Sequence, residues 1–169
     1  MQFTIRPYHL EDFRTLWEID QSCFPPGISY TQLELRSYIH RSASFTFVAE
    51  KGVTETEERS RETDAEPRIV GFIVGEPTLR GRGHIITIDV RTYARRHGLG
   101  SLLLGAAEQE FRKRKCGIIR LETAVDNVAA LSFYKRHQYN IIRSIPRYYS
   151  NGVDALLLEK DLQLPHSSG

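Results

Sequence analysis

The junction between a predicted strand and a predicted helix, at residues 87–101, constrains the fold of this chain more than any other stretch. Residues 84–90 are rich in alternating β-branched side chains, which indicates a strand, and residues 98–115 have the apolar period of a helix. The expected packing face of that helix consists of Leu99, Leu102, Leu103, Ala106 and Ala107. Gly98 and Gly100 stand at the helix start, where backbone N–H groups have no intrahelical partner. This turn predicts a site for a phosphorylated ligand, because free N–H groups bind anions.

The spacing of the glycines excludes two common phosphate-binding loops. A Walker loop requires a lysine directly after its last glycine, but Ser101 follows Gly100. A dinucleotide-binding fingerprint requires a third glycine three residues further on, where Leu103 stands. The pattern that remains is Arg-x-x-Gly-x-Gly over residues 95–100.

A second motif occupies residues 121–135, Leu-Glu-Thr-Ala-Val-Asp-Asn-Val-Ala-Ala-Leu-Ser-Phe-Tyr-Lys. It begins in a strand predicted at 117–124 and ends in a short helix predicted at 127–137, which Asn127 is suited to cap. Together with the Arg-x-x-Gly-x-Gly turn, this motif resembles the GNAT superfamily of N-acetyltransferases. The signature of that superfamily is Leu-Glu-Val-x-x-x-Asn-x-x-Ala-x-x-Phe-Tyr.

Two dipeptides extend the resemblance to one branch of the superfamily. Phe24-Pro25 follows the first predicted helix, and Tyr148-Tyr149 precedes the last predicted strand. Both features are similar to those of ribosomal-protein alanine acetyltransferases and of archaeal and eukaryotic N-terminal protein acetyltransferases. The resemblance covers roughly residues 3–161.

The order of predicted elements is β-α-α-β-β-β-α-β-α-β-β, which indicates an α/β (α+β) domain with helices on both faces of a mixed sheet. The resemblance implies the GNAT fold, a mixed central sheet of about seven strands flanked by about four helices. We expect a single domain over residues 1–161. Residues 51–67 contain six acids and almost nothing apolar, so we expect a mobile acidic loop there and a disordered tail at 162–169.

The resemblance also implies acetyl-CoA as the co-substrate. The main chain of Ile88, Asp89 and Val90 would pair with the pantetheine arm as an added strand, and an N–H near Val90 would donate to the thioester oxygen. The diphosphate would lie against the glycine turn, which comprises Arg95, Arg96, His97, Gly98, Leu99, Gly100 and Ser101. Tyr134 would also contact the cofactor, and so would Asn127 in addition to capping its helix.

Acetyl transfer from a thioester requires a neutral amine, a stabilised oxyanion and a proton for the departing thiolate. Glu122, near the end of its strand, is the candidate base by its position and by the resemblance. Tyr134 is the candidate acid for the thiolate, the role that the family assigns there. His84 is a rival base. For Asp89 two interpretations remain open: its side chain binds the incoming ammonium or, as we favour, it points away.

Two predicted loops form the walls of an amine channel. The substrate-binding residues would be Phe24, Pro25, Ile28, His84, Tyr148 and Tyr149. A channel of this kind admits a flexible peptide N-terminus and excludes a residue within a chain, so we expect direct acetyl transfer to the N-terminal α-amine of a protein such as a ribosomal protein. One alternative is acetylation of a small-molecule amine or a lysine side chain. An alternative of another class is a non-catalytic CoA-binding regulatory module.

Composition narrows the other function classes. Apolar residues make up 40% and charged residues 26% of the chain, as in a soluble folded domain. The net charge of +2 gives no support for nucleic-acid binding, and no apolar run reaches the roughly 20 residues of a membrane span. Cys23 and Cys116 lack metal-ligand spacing. We therefore expect a cytoplasmic protein without a signal peptide or a metal, with free thiols, that is a monomer or a weak dimer.

Overall fold

The computed structural model describes residues 2–52 and 68–163. The strands are β1 Phe3–Pro7, β2 Phe45–Lys51, β3 Ile69–Thr78, β4 Arg82–Val90, β5 Ile118–Ala124, β6 Asn140–Ile145 and β7 Ala155–Asp161. The helices are α1 Phe13–Cys23, α2 Gln32–Ile39, α3 Leu99–Lys113 and α4 Val128–Arg136, with 3-10 turns at Leu10–Asp12 and Thr92–Ala94. The described part of the chain thus has seven strands in one sheet and four α-helices, which confirms the predicted fold.

The strands lie in the order β1-β2-β3-β4-β5-β7-β6. Neighbouring strands of this sheet are antiparallel except for β4 and β5, which are parallel. A parallel pair needs a long crossover connection, and α3 provides it. Because β7 pairs with both β5 and β6, the predicted closing hairpin lies at one edge of the sheet.

The parallel pair is joined over a short distance. Its register aligns residues 82–84 of β4 with residues 118–120 of β5, and the strands separate beyond them. Both strands nevertheless continue. A gap therefore opens between residues 85–90 of β4 and residues 121–124 of β5, and we call this gap the wedge.

Helices cover both faces of the sheet, as the sequence predicts. Leu16 of α1 and Leu35 of α2 belong to one buried cluster, and Leu103 and Phe111 of α3 belong to the other. Leu102 is 49% exposed, so its predicted place on the packing face of α3 is wrong. The buried stripe of α3 follows an i, i+4 row that starts at residue 99 and passes to one side of residue 102.

Two predicted segment boundaries shift. Lys51 pairs with Phe3 and belongs to β2, and the rest of the predicted acidic loop lies, from residue 53 to 67, outside the described residues. The predicted tail begins with an ordered residue, because the N–H of Leu162 donates to the carbonyl oxygen of Gly117 at 2.8 Å. Residues 164–169 of that tail lie outside the described residues.

Two other expectations concern the membrane and the thiols. Within residues 2–52 and 68–163, the helices lack the combination of length and apolar character that crossing a bilayer demands. Cys23 is half-buried, Cys116 is buried, and both are free thiols.

A buried ion pair connects α3 to β7. The Lys160 ammonium on β7 donates to both oxygens of Glu108 on α3, at 2.9 and 3.1 Å. The Tyr139 hydroxyl donates to the same carboxylate at 3.0 Å. All three side chains are buried, so each polar group depends on the others for its hydrogen bonds. The network holds the helix whose first turn forms the glycine turn.

We expect Lys160→Met to destabilise the protein by about 3–5 kcal/mol, because it leaves the Glu108 carboxylate buried without its cation. Adding Glu108→Leu should recover most of that loss, since the unpaired charge is removed as well. Urea unfolding of the two variants and the wild type measures both effects. A double variant no more stable than Lys160→Met would contradict the assignment of the loss to an unpaired charge.

Candidate active site

The two candidate bases lie together where β4 and β5 separate. His84 is the last aligned residue of β4, and Glu122 lies on β5 just past its aligned partner. The Nε2 atom of His84 is 2.6 Å from Oε2 of Glu122. The side chains are 27% and 18% exposed, so water and a small group can reach them. This distance is that of a hydrogen bond, so the two side chains hold each other in place.

The β6–β7 loop places two tyrosines beside Glu122. The rings of Tyr148 and Tyr149 meet edge to face, with centroids 4.9 Å apart. Burial, followed by the charge of Glu122, raises the pKa of Tyr148 to about 12. Burial, Tyr148 and Glu122 also raise the pKa of Tyr149. Both phenols therefore stay protonated and uncharged at neutral pH.

The α1–α2 loop touches the β6–β7 loop directly. Ser150 Oγ donates to the carbonyl oxygen of Gly27 at 3.1 Å, and Asn151 Nδ2 donates to that of Pro26 at 3.5 Å. Gly27 has φ +90°, and a Cβ at this position would lie 2.6 Å from Cβ of Asn151. Here a glycine is required both for the conformation and for the close approach. The two predicted walls are therefore joined.

The predicted wall residues of the α1–α2 loop follow α1 immediately. Phe24 is half-buried and Pro25 is exposed. The carbonyl oxygen of Pro25 accepts from the N–H groups of Ile28 and Ser29, both at 3.1 Å. These bonds turn the loop back toward the sheet.

Tyr30 is a residue of the site that the sequence did not single out. Its hydroxyl donates to the carbonyl oxygen of Ile86 on β4 at 3.3 Å, and its own carbonyl oxygen accepts from Trp17 Nε1 at 3.2 Å. The contact ties the α1–α2 loop to the strand that borders the wedge. The sequence offers no local signal for it, because Tyr30 resembles any aromatic residue at the start of a helix.

The main-chain N–H and carbonyl groups of β4 point alternately toward β3 and toward the wedge. The N–H of Arg91 donates to the carbonyl oxygen of Val70 on β3, at 2.9 Å. Since successive residues of a strand face opposite sides, the main-chain groups of Asp89 also face β3, and those of Ile88 and Val90 face the wedge. The carbonyl oxygen of Val90 accepts from Arg95 Nε at 2.9 Å.

The Asp89 side chain points away from the wedge, as we favoured. It is 1% exposed, lies on the α1 side of the sheet and accepts from the Thr87 hydroxyl at 2.6 Å. Its neighbour on α1 is Asp20, which is fully buried and was not identified from the sequence.

The glycine turn precedes α3 as predicted. Arg96 and Gly98 adopt left-handed conformations, with φ of +63° and +78°, and α3 starts at Leu99. Its first backbone bond runs from the N–H of Leu102 to the carbonyl oxygen of Gly98, at 3.1 Å. The N–H groups of residues 99–101 precede that bond and have no partner within the helix.

The side chains around this turn fix its shape. Leu99 is 1% exposed and anchors the helix start in the core. Ser101 Oγ is 2.9 Å from Nε2 of His137, and His97 Nδ1 is 2.8 Å from the carbonyl oxygen of Arg95. Gly100 faces Phe133, which would lie 3.1 Å from a Cβ at this position. The turn is thus packed against the helix that carries Tyr134.

Asn127 is the N-cap of α4, and Tyr134 lies within this helix. The side chain of Asn127 caps the helix, with Oδ1 accepting from the N–H of Ala130 at 3.1 Å. Tyr134 is 5% exposed, and burial raises the pKa of its phenol. The phenol is therefore fully protonated at neutral pH and can act as a proton donor.

The chain matches a known family over most of its length. Residues 13–139 match the acetyltransferase (GNAT) family. That range contains the glycine turn, the His84–Glu122 pair and Tyr134.

Individual relatives and structures agree with the match. N-alpha-acetyltransferase 30 of Schizosaccharomyces pombe is 29% identical over 155 residues, which cover 90% of this chain and 93% of the relative. The crystal structure of the NatC complex bound to Gag peptide and CoA is similar with a TM-score of 0.76 and 25% identity, over 96% of this chain and 99% of that chain. The ribosomal-protein-S18-alanine N-acetyltransferase from Escherichia coli shares the fold, with a TM-score of 0.76, 19% identity and 99% coverage of both chains. The chain therefore belongs to the GNAT family of acetyltransferases.

Proposed function

We propose that this protein transfers the acetyl group of acetyl-CoA to the N-terminal α-amine of a protein or peptide. The observation that carries the proposal is the 2.6 Å pair of His84 and Glu122 at the opening of the wedge, beside the tyrosines of the β6–β7 loop. A base in this place can accept the proton of an amine that enters between the two joined loops. The names of the similar proteins support this substrate class.

The wedge suits the pantetheine arm of acetyl-CoA. The main-chain groups of Ile88 and Val90 face it, so an extended arm can pair with β4 as an additional strand. The N–H of Val90 would then donate to the thioester carbonyl oxygen. The main chain of Asp89 faces β3. The proposed main-chain contact with the pantetheine arm is therefore made by Ile88 and Val90 without Asp89.

The glycine turn suits the diphosphate. No described atom lies within 4 Å of the place where a Cβ of Gly98 would stand, which leaves room for a ligand over the free N–H groups of residues 99–101. Arg95 and Arg96 lie in the turn and supply positive charge, and His97 lies between them and Gly98. Asn127, at the start of α4, is the remaining proposed cofactor contact.

The chain's own groups account for the proton transfers. When bound, acetyl-CoA supplies an activated acetyl group. As the C–N bond forms, the His84–Glu122 pair takes the proton that leaves the amine. As the C–S bond breaks, the phenol of Tyr134 gives its proton to the sulfur. After the products leave, the phenol regains a proton and the His84–Glu122 pair releases the one that it took up, so the net transfer is from the amine to the sulfur. The protein thus supplies one proton acceptor and one proton donor.

The pair is matched to an α-amine rather than to a lysine. An α-amine has a pKa of about 7.7–8.0 and a lysine of about 10.4, so the α-amine is largely available as the neutral nucleophile near pH 8. The joined loops add a steric argument, because the contacts of Ser150 and Asn151 with Gly27 and Pro26 would bridge the proposed amine channel and form a roof over it. A chain end fits under such a roof more readily than a residue within a chain.

The alternatives are less favoured. A non-catalytic CoA-binding module would not need the hydrogen-bonded His84–Glu122 pair or the protonated phenol of Tyr134, and this chain has both. A lysine side chain or a small amine would not require the contact between the two loops. A ribosomal protein is one substrate type that the proposal includes. The proposal also places this protein in the cytoplasm, as a monomer or weak dimer.

We expect Glu122→Gln to lower kcat by about 100-fold or more on peptides with free N-termini, because it removes the proton acceptor. Binding of acetyl-CoA, measured by calorimetry, should be retained. The matched control is Glu159→Gln, which removes a carboxylate that pairs with Arg120 on the neighbouring strand. Peptides with a blocked N-terminus and an internal lysine should not react, and their turnover would move the substrate to side chains.

We expect Tyr134→Phe to lower kcat by about 10–100-fold with little change in acetyl-CoA binding, because the thiolate then leaves without its donor. Tyr139→Phe is the control, since it removes a buried hydroxyl that bonds Glu108. It should reduce stability and leave kcat unchanged. Equal losses of kcat in both variants would show that the effect is structural.

We expect Gly27→Ala to destabilise the protein more than Gly152→Ala. Both glycines have positive φ, +90° and +85°, so each alanine costs about 1 kcal/mol of strain. At Gly27 the new Cβ also overlaps Asn151, whereas no described atom lies within 4 Å of it at Gly152. The extra overlap should add about 1–3 kcal/mol in urea unfolding and raise the peptide KM. Equal effects would mean that the loops do not need this close approach.

A further inference from the structure

Two buried carboxyl groups meet behind the wedge and take no part in the mechanism above. Asp20, near the end of α1, is 0% exposed, and Asp89, on β4, is 1% exposed. They lie within hydrogen-bonding reach of each other. Among the residues that the structure describes, Asp20 Oδ1 and Asp89 Oδ2 are buried without a partner. Two ionised carboxylates cannot bond each other, but a single proton between these oxygens satisfies both.

The other oxygens of the two groups are already occupied. Asp20 Oδ2 accepts from the N–H of Tyr30 at 2.8 Å and from Gln21 Nε2 at 3.1 Å. Asp89 Oδ1 accepts from the Thr87 hydroxyl at 2.6 Å. Asp20 therefore holds the backbone N–H of Tyr30 in the α1–α2 loop, and Asp89 belongs to β4, the strand that borders the wedge.

We propose that Asp20 and Asp89 are positioning residues that share one proton, and that this bond fixes the substrate-binding α1–α2 loop to β4. The peptide part of this inference rests on the proposed function, whereas the shared proton does not. Asp89 donates the proton, and Asp20 accepts it together with the N–H of Tyr30. The tyrosine can then reach across to the carbonyl oxygen of Ile86.

The surroundings favour one proton rather than none. Among the described residues, the titratable and charged groups that act on the pair are Glu34 of α2, Cys23 at the end of α1, Tyr30 of the α1–α2 loop, Arg95 beyond β4 and Tyr134 of α4. Arg95 is the one cation among them, and its guanidinium donates to the carbonyl oxygen of Val90. Burial raises the pKa of Asp20 to about 6, and burial and the charge of Asp20 raise the pKa of Asp89 well above its usual range.

The shared proton makes stability depend on pH in a defined direction. The unfolded chain loses this proton near pH 4, the usual pKa of an aspartate, while the folded protein keeps it through neutral pH. The folded state thus binds one more proton, so raising the pH favours unfolding. The unfolding equilibrium constant should increase about tenfold more per pH unit in the wild type than in Asp89→Asn between pH 6.5 and 8. Glu18→Gln, on the exposed face of α1, controls for loss of a surface carboxylate.

The positioning role is tested at Asp20 by two variants of similar size. In Asp20→Asn the amide oxygen still accepts from Tyr30, and the amide nitrogen can donate to Asp89 in place of the shared proton. The bond between the two side chains is then kept with its direction reversed, so the peptide KM should stay within about twofold. Asp20→Leu can do neither and should raise the peptide KM about tenfold, with the acetyl-CoA Kd unchanged. A merely structural site would give equal changes in both variants.

Three outcomes decide the matter. Parallel pH curves for the wild type and Asp89→Asn would overturn the shared proton, and this measurement holds even if Asp20→Leu does not fold. Equal KM changes in Asp20→Asn and Asp20→Leu would overturn the positioning role. If no peptide is acetylated, the proposed function fails, but a one-proton difference in the pH curves would still establish the pair.

Discussion

The site depends on the separation of β4 from β5. A parallel pair that opens leaves main-chain groups of both strands without sheet partners, which is costly if they stay buried and unpaired. Part of the cost is offset locally, because Arg95 and Cys23 donate to the carbonyl oxygen of Val90. What remains is an edge of β4 that an extended ligand can complete. The gap that weakens the sheet is therefore the place where we propose that the extended pantetheine arm binds.

The elements around the gap are held by contacts between distant parts of the chain. Tyr30 joins the α1–α2 loop to β4, and Ser150 joins the β6–β7 loop to the α1–α2 loop. Lys160 joins β7 to α3. Each contact spans many residues of sequence, so none of the walls is built by one local segment. The position of the proposed base, the His84–Glu122 pair beside the wedge, consequently depends on the whole sheet.

The sequence predicted the elements well, because helices, strands and the glycine turn have local periods and local turn residues. It failed where the outcome depends on three-dimensional neighbours. His84 and Glu122 were rival bases in the sequence, and they are partners in the structure because the register of β4 and β5 sets them side by side. Asp20 gave no signal at all, since an acid in a helix normally faces water. Leu102 fitted the helical period but lies beside the buried row.

The close approach of Gly27 to Asn151 also limits how such a protein can change its substrate range. Residues 27 and 151 come from opposite ends of the chain, yet their backbones nearly touch. A loop transplanted from a related protein at either end would meet an unmatched counterpart, and a side chain larger than hydrogen at position 27 would push the other loop outward. Loop grafting would therefore succeed only in matched pairs, and natural divergence at these two positions should be correlated.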